Sequence, residues 1–250
     1  MKNILIFFPY FYFNMKNEKE LSTAFKITCM LVLFSLFSAS GLSTLHSENI
    51  YQQNSTEIIL VTGFEPWASH QINPSGMLAT RLNGTIIEQK EVVGIVLPVD
   101  FNNALDTIIN YIDQRQPVLV MCLGLAPGSS MIRVETVALN VFYDPYNPCF
   151  FQSIKRIDSS GPCVLLSSIE VESTVNVIQH ANLSAEQSYF AGFYLCNALF
   201  YKSLHHLQNQ KIDSSVGFIH VPQINSASDS NWTIEELLTA ITLAIQENIL

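Results

Sequence analysis

Four short runs of apolar residues constrain the fold of this chain more than any other feature of its sequence. They are residues 58–61, 92–99, 117–123 and 216–221. An unbroken apolar run of this length is typical of a strand that helices cover on both faces. Because helical patterns separate the runs, we predict a single open, mainly parallel twisted α/β sheet with helices on both faces, a three-layer α/β/α arrangement.

Capping residues indicate where several of the helices begin. Each of these helices is expected to follow a side chain that can accept a hydrogen bond from the first turn: Asn73, Asp100 and Thr233. The predicted helices run from these caps to about Leu82, Arg115 and Asn248. The pattern therefore places helices between the first three strands and at the end of the chain.

Cys196 lies where another helix is expected to begin. Ala191 and Gly192 precede a run of apolar residues at helical spacing, which puts Cys196 in the first turn. Free N–H groups and the positive end of the helix dipole favour the thiolate, the nucleophilic form of cysteine. Taken alone, a cysteine in such a run is more often a buried structural residue.

A histidine and a glutamate can form a catalytic triad with this thiol. His220 ends an apolar strand just before Pro222, so it can reach the start of a neighbouring helix. Glu135 lies in a strand predicted over residues 132–142, where a carboxylate among apolar residues needs a partner such as an imidazole. The three groups suit the roles of nucleophile, base and orienting acid. A histidine in an apolar run is by itself more often a satisfied core residue.

These residues belong to a series of motifs that resembles the pyroglutamyl-peptidase I (pyrrolidone-carboxylate peptidase) family. From about residue 57 to residue 250, the motifs follow the order of that family: Thr62-Gly63-Phe64-Glu65-Pro66, Asn73-Pro74-Ser75, Leu97-Pro98-Val99, Gly124-Leu125-Ala126-Pro127-Gly128, Glu135 with Ala138 and Asn140, the Cys196 segment, and Gly217 to Pro222. The resemblance implies a cysteine peptidase that removes N-terminal pyroglutamate by acyl transfer. It places Glu135, Cys196 and His220 at the catalytic positions.

The resemblance also implies which residues bind the substrate. The candidates are Phe64, Trp67, Asn73, Leu125, Tyr194 and Leu195. Phe64 and Trp67, in a loop expected to begin at Gly63, match aromatic positions that line the pyroglutamate pocket, and the backbone of Leu125 matches one that hydrogen-bonds the lactam. From the residues alone, Phe64 and Trp67 are better interpreted as core residues that anchor a loop. Asn73 is better placed to cap its helix than to contact substrate.

Several departures from the family pattern leave two other functions open. Residues 67–69 are Trp-Ala-Ser where the family usually has Phe-Gly-Gly, and Ser129 replaces a usual arginine. Phe190 stands where a small hydroxyl residue often precedes Ala-Gly. One alternative is a catalytically weak paralogue that binds pyroglutamyl or lactam ligands. The other is a related exported amide hydrolase of different specificity.

The first forty residues are predicted to lie outside this domain, as a signal peptide or a membrane anchor. Lysines precede the apolar stretch at residues 27–37, and small residues follow it at 38–40. Residues 41–56 are polar and are interpreted as a linker, which leaves 57–250 as the domain. The pattern predicts an exported or membrane-tethered protein, with a cytoplasmic one as the alternative if the segment is not a working signal.

Charge and residue spacing limit the partners and cofactors that we expect. The chain has 12 Lys and Arg against 21 Asp and Glu, and residues 41–250 retain 8 against 19, so there is no basic surface for nucleic acid. The adjacent His205 and His206 point to different sides of a helix, and we predict no metal or other cofactor. The resemblance implies peptide substrates and a homo-oligomer, dimer or tetramer. If the protein is exported, Cys149 and Cys163 can form a disulfide.

Overall fold

Alternating strands and helices make up most of the domain. The computed structural model describes residues 57–67, 70–144, 153–224 and 232–249. The described strands are β1 (Ile58–Phe64), β2 (Ile86–Ile87), β3 (Lys90–Leu97), β4 (Leu119–Leu125), β5 (Ile132–Glu135), β6 (Val137–Leu139), β7 (Phe142–Tyr143), β8 (Ile154–Lys155), β9 (Val164–Leu166), β10 (Ala185–Ser188) and β11 (Ser215–Val221). The described helices are α1 (Pro74–Leu82), α2 (Phe101–Arg115), α3 (Val171–His180), α4 (Leu195–Gln210) and α5 (Ile234–Glu247).

Seven of these strands form the central sheet, in the order β10-β5-β11-β4-β1-β3-β2. The four middle strands are parallel, because β1 pairs in parallel with β3 and β4, and β4 pairs in parallel with β11. β5 pairs with β11 in the antiparallel direction, and β2 does the same with β3. The predicted mainly parallel α/β sheet is confirmed.

Helices cover both faces of this sheet, as predicted. Alternate residues of a buried strand project to opposite faces, so each strand contributes to two apolar clusters. In β1, Ile59 and Val61 pack in the cluster that includes residues of α1, α3 and α5. Leu60 and Phe64 pack in the other cluster, with residues of α2 and α4. The side of the sheet that carries α4 is the side on which the functional residues meet.

The predicted caps are confirmed. The side chain of Asn73 accepts a hydrogen bond from the N–H of Ser75, and that of Asp100 accepts one from the N–H of Asn103. Thr233 forms a capping box with a glutamate of the first turn of α5. α1 and α2 end at the predicted residues, and α5 ends one residue before the predicted one.

Several predicted boundaries are wrong. β3 begins and ends two residues before the predicted strand, and β4 begins and ends two residues after its predicted one. Gly63 lies within β1 and does not begin the loop, because the lack of a side chain lets α1 pack against the strand: a Cβ atom on Gly63 would lie 2.0 Å from the carbonyl oxygen of Ser75. The strand predicted over residues 132–142 is three short strands. The chain leaves the central sheet at Thr136, whose N–H donates to Ser188 and whose carbonyl accepts from Ser167.

Several predictions fall on residues that the structure does not describe. These are the signal peptide or anchor at residues 1–40, the linker at 41–56, the changed residues 68–69, and Cys149 of the predicted disulfide. In the described part of the chain, no helix is both long and apolar enough to cross a bilayer.

Candidate active site

Glu135 and His220 meet on the face of the sheet that carries α4. Glu135 lies opposite Phe218 in the antiparallel pair of β5 and β11, so His220, two residues further on, projects from the same face. Glu135 Oε1 is 2.8 Å from His220 Nδ1, and both residues are buried. Within the described residues the other carboxylate oxygen has no hydrogen-bond partner. The imidazole is therefore the group that stabilises this carboxylate.

Cys196 lies in the first turn of α4, as predicted, and reaches the same site. Gly124 of β4 is the register partner of His220. A Cβ atom on Gly124 would lie 3.1 Å from both Cys196 Sγ and His220 Cδ2. Gly124 belongs to the strand and not to the loop after it, and its missing side chain makes the space in which the thiol and the imidazole approach each other.

Burial and the two neighbouring side chains shift the pKa of His220 in opposite directions. Burial lowers the pKa of His220, but Cys196 and Glu135 outweigh burial through hydrogen bonding and charge and raise this pKa to about 9. The protonated form of the imidazole is thus favoured beside Cys196 and Glu135. A histidine that readily takes up a proton next to a thiol is the arrangement that nucleophilic cysteine chemistry requires.

The other described cysteines have different surroundings. Burial raises the pKa of Cys122 to about 12, which keeps this residue a neutral thiol within the core. Cys163 is exposed, and its Sγ lies 3.8 Å from Arg156 Nη1. Because Cys149 lies outside the described residues, the disulfide between Cys149 and Cys163 stays a prediction.

Asn197 fixes the start of α4 and was not singled out from the sequence. Its buried amide accepts a hydrogen bond from Leu139 N and donates to Leu139 O and Val141 O, each at 2.8 Å. Leu139 ends β6, four residues after Glu135. The amide therefore ties the helix of the thiol to the segment that follows the glutamate. The signal in the sequence was a polar residue directly after Cys196 in an otherwise apolar helix start.

The N-terminus of α4 has no side-chain cap from its N-cap residue. Tyr194 occupies the N-cap position and makes no capping hydrogen bond to the first turn. The first N–H groups of a helix without a cap can hold an anion. Such an anion forms on the carbonyl oxygen when a thiolate adds to an amide.

The predicted pocket residues differ in their environments. Phe64 and Leu195 are buried in the apolar cluster on the α4 side, and Leu125 is buried at the end of β4. Trp67 is exposed and packs against His70, with 4.7 Å between ring centroids. The rings of Phe64 and Trp67 thus lie in different environments, one in the core and one at the surface. The role of each in binding pyroglutamate stays a prediction.

Asn73 braces the loop after β1. Its Oδ1 accepts hydrogen bonds from Ser75 N and Ser75 Oγ, and its Nδ2 donates to the carbonyl oxygen of Glu65 at 3.0 Å. The buried amide thus serves as a cap and a brace, as the residues alone indicated, and its role in binding substrate stays a prediction.

The adjacent histidines of α4 diverge, as their spacing predicted. His205 Nδ1 lies 3.5 Å from Asp158 Oδ2, whereas His206 Nε2 lies 2.6 Å from Asp113 Oδ1. Over the described ranges, no group of three His, Cys, Asp or Glu side chains is arranged to hold a metal ion.

A buried carboxylate–imidazole pair beside a thiol at a helix start, on one face of a mainly parallel sheet, defines a cysteine hydrolase with an α/β fold. Comparison with known proteins identifies which one. A family model described as pyroglutamyl peptidase matches residues 57–249, and the chain belongs to this family of cysteine exopeptidases. Removal of N-terminal pyroglutamate is the known activity of the family.

Individual relatives agree with this assignment. The pyrrolidone-carboxylate peptidase of Oceanobacillus iheyensis is 36% identical over 192 residues, which cover 75% of this chain and 96% of that protein. The solved structure of pyrrolidone carboxyl peptidase from Thermococcus litoralis has a TM-score of 0.72 at 28% identity, and the match covers 78% of this chain and 94% of that one. For the enzyme from Pyrococcus furiosus the TM-score is 0.70 at 31% identity, with 76% and 96% covered. The family predicted from the motifs is confirmed.

Proposed function

We propose that this chain releases N-terminal pyroglutamate from peptides, with Cys196 as nucleophile, His220 as general base and acid, and Glu135 as the group that orients His220. The observation that carries the proposal is the approach of Cys196 Sγ and His220 to one point above Gly124, with Glu135 Oε1 at 2.8 Å from His220 Nδ1. Nucleophile, base and orienting acid are thereby in the order that acyl transfer requires.

Acylation begins with the proton on His220. The Cys196 thiolate adds to the pyroglutamyl carbonyl carbon, and the carbonyl oxygen becomes an oxyanion next to the N–H groups at the start of α4. The tetrahedral adduct collapses, the C–N bond breaks, and the leaving amine takes the proton of His220. Glu135 stabilises the imidazolium until this transfer. The product is a pyroglutamyl thioester on Cys196.

Deacylation uses the neutral imidazole that acylation leaves behind. His220 takes a proton from water, and the resulting hydroxide oxygen adds to the thioester carbonyl. The C–S bond then breaks, pyroglutamate leaves, and the thiolate and imidazolium are restored. No group other than water is consumed.

Hydrolysis of a pyroglutamyl aminomethylcoumarin by the full-length protein under reducing conditions tests this proposal. We expect thiol-dependent turnover that falls by at least about 10³-fold in Cys196→Ser. Cys163→Ser is the matched control, because it changes an exposed thiol away from His220, and we expect it to retain activity.

The two alternatives predict other results. If the folded protein binds a pyroglutamyl ligand without turnover, and Cys196→Ala binds it equally well, the protein is a binding paralogue. If it cleaves other aminoacyl reporters and no pyroglutamyl one, it is an amide hydrolase of different specificity. Either result contradicts the proposal.

We further infer an exported or membrane-tethered protein that assembles as a dimer or tetramer. Support for export comes from the lysine-flanked apolar stretch and the small residues that follow it within residues 1–40. N-terminal sequencing of the mature protein tests export: a start after about residue 40 agrees with cleavage, whereas a cytoplasmic chain that starts at Met1 or Met15 contradicts it.

Sedimentation analysis of the molecular mass in solution tests whether the protein is a dimer or tetramer, and a monomer contradicts the inference.

A further inference from the structure

Four aromatic side chains are exposed in the segment that leads into α4, and Tyr194 is already one of the candidate pocket residues. Tyr189, Phe190 and Phe193 expose 63%, 51% and 49% of their surface, and we call these three residues the aromatic shelf. Single exposed apolar residues are common, but neighbouring exposed aromatic rings more often mark a binding surface. No step of the acyl transfer uses these rings.

The backbone beneath the aromatic shelf is held in place. Ala191 is buried between the exposed residues, and Gly192 has a φ of +85°, a conformation that glycine adopts without strain. The carbonyl oxygen of Phe193 accepts a hydrogen bond from Tyr143 N at 2.5 Å. The rings of Phe190 and Phe193 pack edge to face, with 4.8 Å between centroids. The shelf is therefore formed before any ligand arrives, which reduces the entropy lost on binding.

The shelf lies close to the nucleophile. Phe193 precedes Cys196 by three residues, and three residues of chain span at most about 11 Å. The helix that carries the thiol starts at Leu195, so the aromatic shelf stands at the same end of α4 as the thiol. Phe193 is the member of the shelf that this bound places near the thiol, and the Phe190 ring adjoins it at 4.8 Å between centroids.

The position of the scissile bond in the peptide determines which substrate residues can contact the shelf. An enzyme that removes one N-terminal residue has only that residue on the acyl side of the scissile bond. All other residues of the peptide lie on the leaving side, and in an extended chain they follow at about 3.3 Å each. Because the Cα atom of Phe193 lies within about 11 Å of that of Cys196, and the Phe190 ring packs on the Phe193 ring, these two rings can reach the first two or three residues after pyroglutamate.

We propose that the aromatic shelf selects pyroglutamyl peptides whose first or second residue after pyroglutamate is aromatic or large and apolar. The inference rests on the proposed function and specifies its substrate class. An apolar side chain that packs on Phe190 and Phe193 leaves water, and this burial favours acylation of that peptide over one with glycine. Phe190 is also one of the departures from the family pattern, so the preference belongs to this chain.

The test compares pyroglutamyl-phenylalaninamide with pyroglutamyl-glycinamide by their kcat/KM values. For the full-length protein we expect a ratio of about 10 in favour of phenylalanine, the effect of covering part of one aromatic ring. In the double variant Phe190→Ser/Phe193→Ser the ratio should fall to about 1–2, and Phe190→Tyr should keep it high. Tyr111→Ser, which removes an exposed ring from α2, is the matched control and should leave the ratio unchanged.

Each other outcome contradicts the inference in a recognisable way. An unchanged ratio in the double variant, or equal losses with both substrates, means that the shelf has no role in selection. Equal hydrolysis of both peptides by the unmodified protein overturns the inference and leaves the proposed function intact. A folded protein that hydrolyses neither overturns both. If the double variant abolishes self-association and leaves the ratio unchanged, the shelf is an interface between copies.

Discussion

Two histidine–carboxylate pairs in this protein have similar bond lengths and different surroundings. His220 Nδ1 is 2.8 Å from Glu135 Oε1, and His206 Nε2 is 2.6 Å from Asp113 Oδ1. The side chain of Glu135 is 0% exposed, whereas that of Asp113 is 49% exposed. The first pair adjoins Cys196, and the second joins α4 to α2 near the surface.

The comparison shows that a short N–O distance does not by itself make a catalytic pair. Water screens the exposed pair, so its contribution to stability and to chemistry is small. Burial removes this screening from the pair of Glu135 and His220, and the neighbouring Cys196 raises the pKa of its imidazole. Four predictions test this difference, beginning with the largest expected effect.

Matched isosteric changes separate the two pairs most sharply. Glu135→Gln keeps the shape of the side chain and removes the charge that stabilises the imidazolium, so we expect kcat/KM to fall by about 10³–10⁴-fold. Asp113→Asn removes the same charge from the surface pair and should leave kcat/KM within about twofold. Hydrolysis of the fluorogenic pyroglutamyl substrate measures both. A loss below about tenfold in Glu135→Gln would remove Glu135 from the site.

Asn197 is expected to hold the thiol of Cys196 beside the buried pair of Glu135 and His220. Asn197→Ala leaves the backbone groups of Leu139 and Val141 without their partners, and we expect the free energy of unfolding to fall by about 3 kcal/mol. Asn209→Ala, an exposed change on the same helix, should alter it by less than about 0.5 kcal/mol. Denaturant unfolding compares the variants. Equal effects of the two changes would mean that Asn197 does not hold α4 to β6.

The raised pKa of His220 predicts a specific pH dependence. This pKa is about 9 in the folded protein against an ordinary value of 6.5, so the associated stability is fully present below pH 6.5 and is lost as pH rises to 9. In Cys196→Ala the pKa of His220 should fall, because this change removes one of the two groups that raise it. The loss of stability above pH 6.5 should then be smaller and should end at a lower pH than in the unmodified protein.

NMR titration of His220 and denaturant unfolding across this pH range measure the two effects. Cys163→Ala serves as the control, and we expect it to leave the titration of His220 unchanged. An unchanged pKa of His220 in Cys196→Ala would show that Glu135 alone determines it, and the thiol would no longer distinguish the buried pair from the surface pair.

The smallest effect is expected for the stability of the surface pair. A double-mutant cycle with His206→Gln and Asp113→Asn should give a coupling free energy of at most about 1 kcal/mol, which decreases further at high salt. Unfolding in low and high salt measures it. A coupling of several kcal/mol that is independent of salt would erase the distinction between the two pairs.

Local signals in the sequence were sufficient to predict the middle strands of the sheet and the starts of the main helices. Unbroken apolar runs predicted the middle strands, because strands buried on both faces need apolar residues at every position. Asn73, Asp100 and Thr233 predicted helix starts, because a cap and its first turn are neighbours in the chain. Cys196 and His220 could be proposed because each lies at the end of such an element.

Relations between distant segments could not be predicted in the same way. Nothing in residues 132–135 indicates that β5 runs antiparallel to β11, because strand pairing is decided by contacts across the fold. The predicted strand ends at residue 123 and leaves Gly124 outside the sheet, since the neighbours that show its place, Cys196 and His220, are far along the chain. The role of Asn197 could not be predicted for the same reason, because its hydrogen-bond partners lie 56 and 58 residues away.

The antiparallel pairing of β5 with β11 also governs when activity can arise during folding. Glu135 and His220 are 85 residues apart in the chain and meet only when β5 takes its place beside β11. Contacts between such distant residues form slowly compared with helices. Cys196 meets His220 only after the same step, because His220 belongs to β11. With His220 as the base proposed above, the nascent protein cannot cleave peptides until nearly the whole domain is complete.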